Sequence, residues 1–258
     1  MRKAKRNYLN LVNEILNLKN SNLRIDIIGH VIYNNIAFPI LKLEAGNTKK
    51  NYNIVIQSGI HGDETVAMKT LIRWMQNIPN SQKKYCNFTI FPCMNPFGYN
   101  HIVRRNGLQQ MVNTNLSKEN VNDVPELRII KPHYPMNVNL FIDIHGDCGK
   151  YGKVEIYAYE RIPEMAVSPC MRAFRLNDKI IPYTKSETIY GEPCKNGVIY
   201  NPIRDESIQD YMSDNGCECS VTLEVPGRLK GIDTVYGSAR VLDSIIDNFI
   251  KYKQEGKL

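Results

Sequence analysis

No stretch of this 258-residue chain stays apolar for the ~18 positions that a membrane-spanning helix needs. Its basic start, MRKAKRNYLNLVNEILNLKN, has Asn and Lys between the apolar positions, so it lacks the continuous apolar segment of a secretory leader. These two absences set the expectation of a cytoplasmic protein with no membrane partner. Seven cysteines, at positions 86, 93, 148, 170, 194, 217 and 219, include no C-x-x-C pair. That removes zinc-ribbon and thiol-redox patterns and leaves reduced, mostly buried thiols. There is also no helix-turn-helix, zinc-finger or RNP pattern. The 33 Lys and Arg against 26 acids are scattered rather than gathered on one stripe, so the net charge of +7 carries no expectation of nucleic-acid binding. With 43% hydrophobic and 23% charged residues, composition excludes a disordered chain, and the length suits a buried core without disulfides.

What is present alternates between two periods. Leu9, Val12, Ile15 and Leu16 recur at helical spacing, which predicts an N-terminal helix over about 5–18 with these four on one apolar face. LRIDIIGHVI, IAFPILKLEA and NYNIVIQSG are strand-like and separated by Asn-rich turns. TVAMKTLIRWMQNI is helical up to Pro79, FTIFPCM is a strand ending at the turn signal NPFG, and VNLFIDIHG is a buried strand. Residues 99–135 show little periodicity and predict long loops. Strand KVEIYAYE, helices near 164–178 and at SIQDYMSDN, strand CSVTLEVPG and a helix over 237–252 complete the chain. Strands alternating with helices, without linker or repeat, predict one α/β domain over 1–258: a mixed, mainly parallel central sheet flanked by helices. Within it, 1–50 holds the first helix and strands, and 53–227 holds the chemistry-bearing motifs.

Two of the buried strands run into a histidine followed by glycine, at His61 and His145. Ligands bind at the carboxyl ends of strands in open α/β sheets, so both histidines point to one crevice. Glu64 follows His61 by three residues, a spacing that lets an imidazole and a carboxylate converge in a turn. Two His and a carboxylate with an open fourth position form a catalytic zinc set, whereas each residue alone would read as a strand or helix cap. Glu224 stands inside the apolar strand SVTLEVPG, where a buried carboxylate needs a compensating partner. Either a zinc-activated water, for which it would be the general base, or a nearby Arg would serve.

HGDE, then NPFG with Arg104 six residues beyond its Gly, then IDIHG, then TLEVPG, in that order, resemble the zinc metallocarboxypeptidases related to carboxypeptidase A, a group with murein peptide amidases and zinc deacylases among its relatives. The likeness runs from about Asn53 to Gly227. It implies one Zn2+ per chain held by His61, Glu64 and His145, with Glu224 as base and Arg104 polarising the scissile carbonyl. It also implies Asn115 as a ligand for the substrate carboxylate, Tyr200 (or Tyr190) as the residue covering the substrate, and Gln209 lining the specificity pocket.

One position departs from that pattern. Leu116 stands where the family's carboxylate-gripping Arg is expected, in VNTNLSKEN, so Lys118, Arg105 or a more distant cation would have to substitute, or the bound group is not a simple α-carboxylate. A neutral Gln209 argues against strict selection of basic or large aromatic side chains. The implied activity is that of a zinc-dependent, metallocarboxypeptidase-like hydrolase that cleaves a peptide or amide bond. A zinc deacylase of N-acyl amino acids or small amides is the alternative, and a non-catalytic peptide-binding protein on the same fold is the alternative of another class.

Overall fold

The computed structural model describes residues 6–18, 23–46, 52–113, 124–147, 154–229 and 232–258. Helix α1 (Tyr8–Leu16) leads into a hairpin of β1 (Arg24–Tyr33) and β2 (Ile36–Gly46). The two turn residues of that hairpin, Asn34 and Asn35, both have positive φ (52° and 60°), the two-residue conformation that suits the strands' twist and that Asn tolerates. Strand β3 (Tyr52–Ser58), helices α2 (Thr65–Met75) and α3 (Asn80–Tyr85), strand β4 (Cys86–Phe91) and helices α4 (Pro96–His101) and α5 (Pro125–Ile130) follow. Next come β5 (Leu140–Asp147), β6 (Tyr157–Arg161), α6 (Pro169–Asn177), the short pair β7 (Thr188–Ile189) and β8 (Glu192–Pro193), and β9 (Val198–Tyr200). Helix α7 (Ile208–Asp214), strand β10 (Cys219–Pro226) and helix α8 (Ile232–Gln254) end the chain.

Eight of the strands form one sheet in the order β1-β2-β4-β3-β5-β10-β6-β9. Pairing is parallel through β4-β3-β5-β10 and between β6 and β9, and antiparallel at β1-β2, β2-β4 and β10-β6. Helices flank this mixed, mainly parallel sheet. Strand β5 is buried at every position up to Gly146, as a central parallel strand covered on both faces must be. Helix α8 packs against α2 and α6. It buries Val241, Leu242, Ile245, Ile246 and Phe249, each side chain contributing ~1.5–3 kcal/mol by leaving water. No described helix is long and apolar enough to cross a membrane. The described cysteines, Cys86, Cys93, Cys170, Cys194, Cys217 and Cys219, are buried and form no disulfide.

Three sequence expectations need correction. The buried face of α1 is Tyr8, Leu11, Val12 and Ile15, while Leu9 and Leu16 are 56% and 47% exposed. Tyr8 sets that rotation, because its hydroxyl donates to Pro39 O at 2.8 Å and its ring packs edge-on to Tyr99. The last helix begins at Ile232 rather than 237, with Gly237 inside it, where a Cβ would lie 3.0 Å from Ile181 Cβ. Within the expected loop of 99–135, the segment PELRII forms α5, started by a Pro in its first turn.

From β3 the chain moves outward to β4, and from β5 it moves to the other side, toward β6. Neighbouring parallel strands whose connections diverge in this way open a crevice at their carboxyl ends. The candidate site lies there.

Candidate active site

Strand β3 ends in a turn at Gly59, whose φ of +68° favours glycine and where a Cβ would meet Met68 Sδ at 2.8 Å. His61 and Glu64 follow in this turn and α2 starts directly behind them. Gly62 touches the backbone of the NPFG segment so closely that a Cβ would lie 2.0 Å from the carbonyl carbon of Gly98. Asn95 clamps that second segment: its Oδ1 accepts from Gly98 N at 2.8 Å, and its Nδ2 donates to Arg104 O at 3.1 Å. The HGDE and NPFG motifs are thus two halves of one interlocked structure, with Arg104 fastened to it.

Alternation along the strands supplies the floor. Asp143, His145 and Asp147 share one face of β5, and Ile142 and Ile144 pack into the core from the other. The register places Glu224 beside His145 on one side and Tyr157 on the other, and Thr222 between Asp143 and Tyr159. A cavity of about 650 Å³ opens over these two rows, lined also by His61, Glu64, Arg104 and Gln209.

His61 Nδ1 lies 2.9 Å from Glu64 Oε1 and 3.2 Å from His145 Nδ1, which is itself 3.2 Å from Glu64 Oε2. His145 Nε2 bonds Asp143 Oδ2 at 3.1 Å, which holds a ring proton at Nε2 and leaves Nδ1 facing Glu64 and His61. Glu64 is steadied by Gly146 N, which donates to its Oε2 at 3.0 Å, and by Arg104 Nη1 at 2.7 Å from Oε1. Two ring nitrogens and a carboxylate facing one point need a cation or extra protons between them. A tetrahedral ion at ~2.0–2.1 Å bond lengths sets its ligands ~3.3–3.4 Å apart, only slightly wider than the 2.9–3.2 Å separations here, so the donor set fits zinc. An Asp behind a ligating His is the usual orienting partner of such a site.

The electrostatics show the same need for positive charge between these groups. Burial lowers the His61 imidazole from its usual range. Burial alone would also lower that of His145, but the Asp143 and Glu64 carboxylates outweigh it and hold it well above. Burial raises Glu64, and the two imidazoles more than reverse this, keeping its carboxyl below the ordinary carboxylate range. Glu224 lies at the cavity floor, reachable from the cavity and enclosed elsewhere; burial pushes its carboxyl up, and Glu64 and Asp147 add to the rise. A divalent cation at the neighbouring trio would pull it back toward ionisation.

The structure therefore brings together His61, Glu64, His145, Arg104, Glu224 and Gln209. It does not bring Tyr200 there: that hydroxyl lies 4.0 Å from Met171 Sδ, beside a separate cavity of about 340 Å³. Tyr190 faces the main cavity instead, from the tight turn between β7 and β8, where Tyr190 and Gly191 both have positive φ (49° and 87°). Arg105 points away, donating from Nη1 to Gln109 O at 2.7 Å from an exposed position. Asn115, Leu116, Lys118 and Cys148 lie outside the described residues. Asp143 escaped the sequence reading, although its D-x-H spacing on a strand already puts it on the face of His145. Asp147, Glu192 and Asp205 also line the cavity and carried no local signal.

The sequence model of the succinylglutamate desuccinylase/aspartoacylase catalytic domain matches residues 50–228, well over half of the chain. No curated protein matches by sequence. Among solved structures, a candidate metallopeptidase from Shewanella amazonensis SB2B superposes with a TM-score of 0.75 at 21% identity, covering 93% of this chain and 91% of that one. A metallo-carboxypeptidase from Burkholderia cenocepacia gives 0.66 at 16% identity, over 95% of this chain and 69% of that one. Bovine thrombin-activatable fibrinolysis inhibitor gives 0.66 at 17% identity, over 96% and 98%. At these identities the likeness is one of fold.

Proposed function

The chain belongs to the succinylglutamate desuccinylase/aspartoacylase catalytic-domain family, and from that premise we propose that it is a zinc-dependent hydrolase that cleaves the amide bond of a small N-acyl compound. The observation that carries this reading is the convergence of His61, Glu64 and His145 within 4.8 Å of one another, in the same cavity as Glu224 and Arg104. Zinc held by these three residues would supply Lewis acidity toward the scissile carbonyl and make a water acidic near pH ~7. Glu224 takes the proton of the attacking water and passes it to the leaving nitrogen. Its place beside His145 in the strand register aims it at the reacting centre. Arg104 keeps Nη1 on Glu64 and has other N–H groups for the oxyanion that forms on the acyl carbon, a role worth ~3–4 kcal/mol for one well-placed donor. Asp143 fixes the ring of His145, and Asn95 fixes the loop of Arg104.

Trimming of a peptide's C-terminal residue is the second reading, favoured by the carboxypeptidase folds that superpose on the chain. It asks for a cation to hold the terminal carboxylate, and among the described residues the cavity offers only Arg104. Incubating the zinc-loaded protein with N-acyl amino acids and a mixed peptide library, read by mass spectrometry, separates the two: acyl loss supports the first, single-residue trimming the second. Glu224→Gln keeps shape and loses the base, so turnover should fall at least ~10²-fold with zinc still bound. Near wild-type turnover in that variant would overturn the assigned chemistry.

A further inference from the structure

We infer that the substrate carries a cationic hydrogen-bond donor, a primary ammonium or a guanidinium, on the part that lies over Thr222, Tyr159 and Gln209. The inference rests on the amide-hydrolase reading for the place of the reacting bond, and on the hydrogen-bond polarity of the rest of the cavity for the class of group.

Gln209 is 5% exposed and lines the cavity from α7. Its Nε2 donates to Tyr159 O at 2.9 Å and to Ser220 O at 2.8 Å, so both amide protons are committed to the sheet. The amide cannot be turned over, because its carbonyl would then face two carbonyls. Only Oε1, an acceptor, is left for a ligand.

The same polarity recurs around it. Asp143, 3% exposed, has an Oδ1 with no hydrogen-bond partner, and so has Asn113; both residues line this cavity. The hydroxyls of Tyr157 and Tyr190 donate to Asp147 Oδ2 at 3.3 and 3.4 Å, which spends their protons and leaves rings and lone pairs. Glu192 is held in place by Ile203 N and Asp205 by Ser207 N, and neither forms an ion pair with a described Lys or Arg. Arg104, the single guanidinium among the described lining residues, lies at the His–Glu end with Nη1 on Glu64. Even with a divalent ion bound, the carboxylates among the described lining residues outnumber the positive charges there. A cavity whose described lining holds six carboxylates against one guanidinium, and is walled by tyrosine rings, complements a cation with several N–H groups. Gln209 is neutral, and its neighbours supply the charge.

The test uses matched ligands: N-acetyl-lysine, N-acetyl-arginine, N-acetyl-norleucine and N-acetyl-glutamate. Their hydrolysis is followed with the zinc-loaded protein, and their binding is measured by calorimetry with zinc-loaded Glu224→Gln. The lysine or arginine compound should bind at least ~10-fold more tightly than norleucine, about 1.4 kcal/mol, and should lead in kcat/KM by a similar factor. Glu192→Gln with Asp205→Asn, shown folded by its melting curve, should reduce that ratio to below about threefold, and Glu192→Gln alone should reduce it in part. Equal or tighter binding of norleucine or glutamate would overturn the inference. Tight binding of the cationic ligands with no acyl loss from any compound would instead leave it standing and count against the hydrolase reading.

Discussion

Gly62→Ala adds one methyl group at the point where the two site-building turns meet. The new Cβ would lie 2.0 Å from Gly98 C and 2.2 Å from Tyr99 N. Carbon atoms need ~3.4–4 Å, and these neighbours are backbone, so no side-chain rotation relieves the clash. The turn bearing His61 and Glu64 must move more than ~1 Å from the segment bearing Asn95 and Arg104. Overpacking of this kind costs about 1–3 kcal/mol. For a chain of this size that is a fall of ~2–12 °C in Tm, read by calorimetry on metal-free protein. A shift of ~1 Å also separates Arg104 from the trio, so the activity found for the wild type should drop ~10²-fold. Zinc affinity should fall less, because Glu64 and His145 stay tied through Gly146 N. A Gly62→Ala protein with unchanged Tm and activity would refute the claim that this contact locks the two motifs together.

Three further outcomes follow from the same geometry. Asp143→Asn removes the carboxylate behind His145 and should weaken zinc binding ~10–100-fold by competition with a chelating dye; an unchanged affinity would remove Asp143 from the site's support. Asn95→Ala loses the cap on Gly98 N and the hold on Arg104 O, so urea unfolding should show a loss of about 1–2 kcal/mol, with a rise in the B-factors of 103–106 in a crystal. Burial raises the Glu126 carboxyl, which Tyr33 Oη and Asn106 Nδ2 contact at 2.7 and 3.0 Å. Its contribution to stability is therefore full below the ordinary glutamate range and lost as pH rises through the raised value, and Glu126→Gln should flatten that part of the stability–pH curve.

The meeting of His61, Glu64 and His145 was legible because each stands in a short local motif at a strand's end, where alternation and turn geometry leave little freedom. Glu224 was legible for another reason: a carboxylate in an apolar strand is an anomaly that asks for a partner. Asp143 could have been found from the same alternation, since two residues along a strand return to one face. Glu192 and Asp205 could not, and Tyr190 stood only as the alternative to Tyr200, because all three reach the cavity through the β7–β8 turn and the loop before α7, whose path is set by tertiary packing. The face of α1 shows the limit of periodicity. Two overlapping apolar stripes were available, and the Tyr8 hydroxyl's bond to Pro39 O, far away in sequence, decides between them.

Zinc-edge anomalous diffraction from crystals of the zinc-loaded protein tests the central claim most directly. The geometry predicts one strong peak per chain, within ~2.0–2.2 Å of His61 Nδ1, His145 Nδ1 and a Glu64 carboxylate oxygen, with Glu224 facing it across the cavity. A peak held by other residues, or none with zinc in excess, would contradict it.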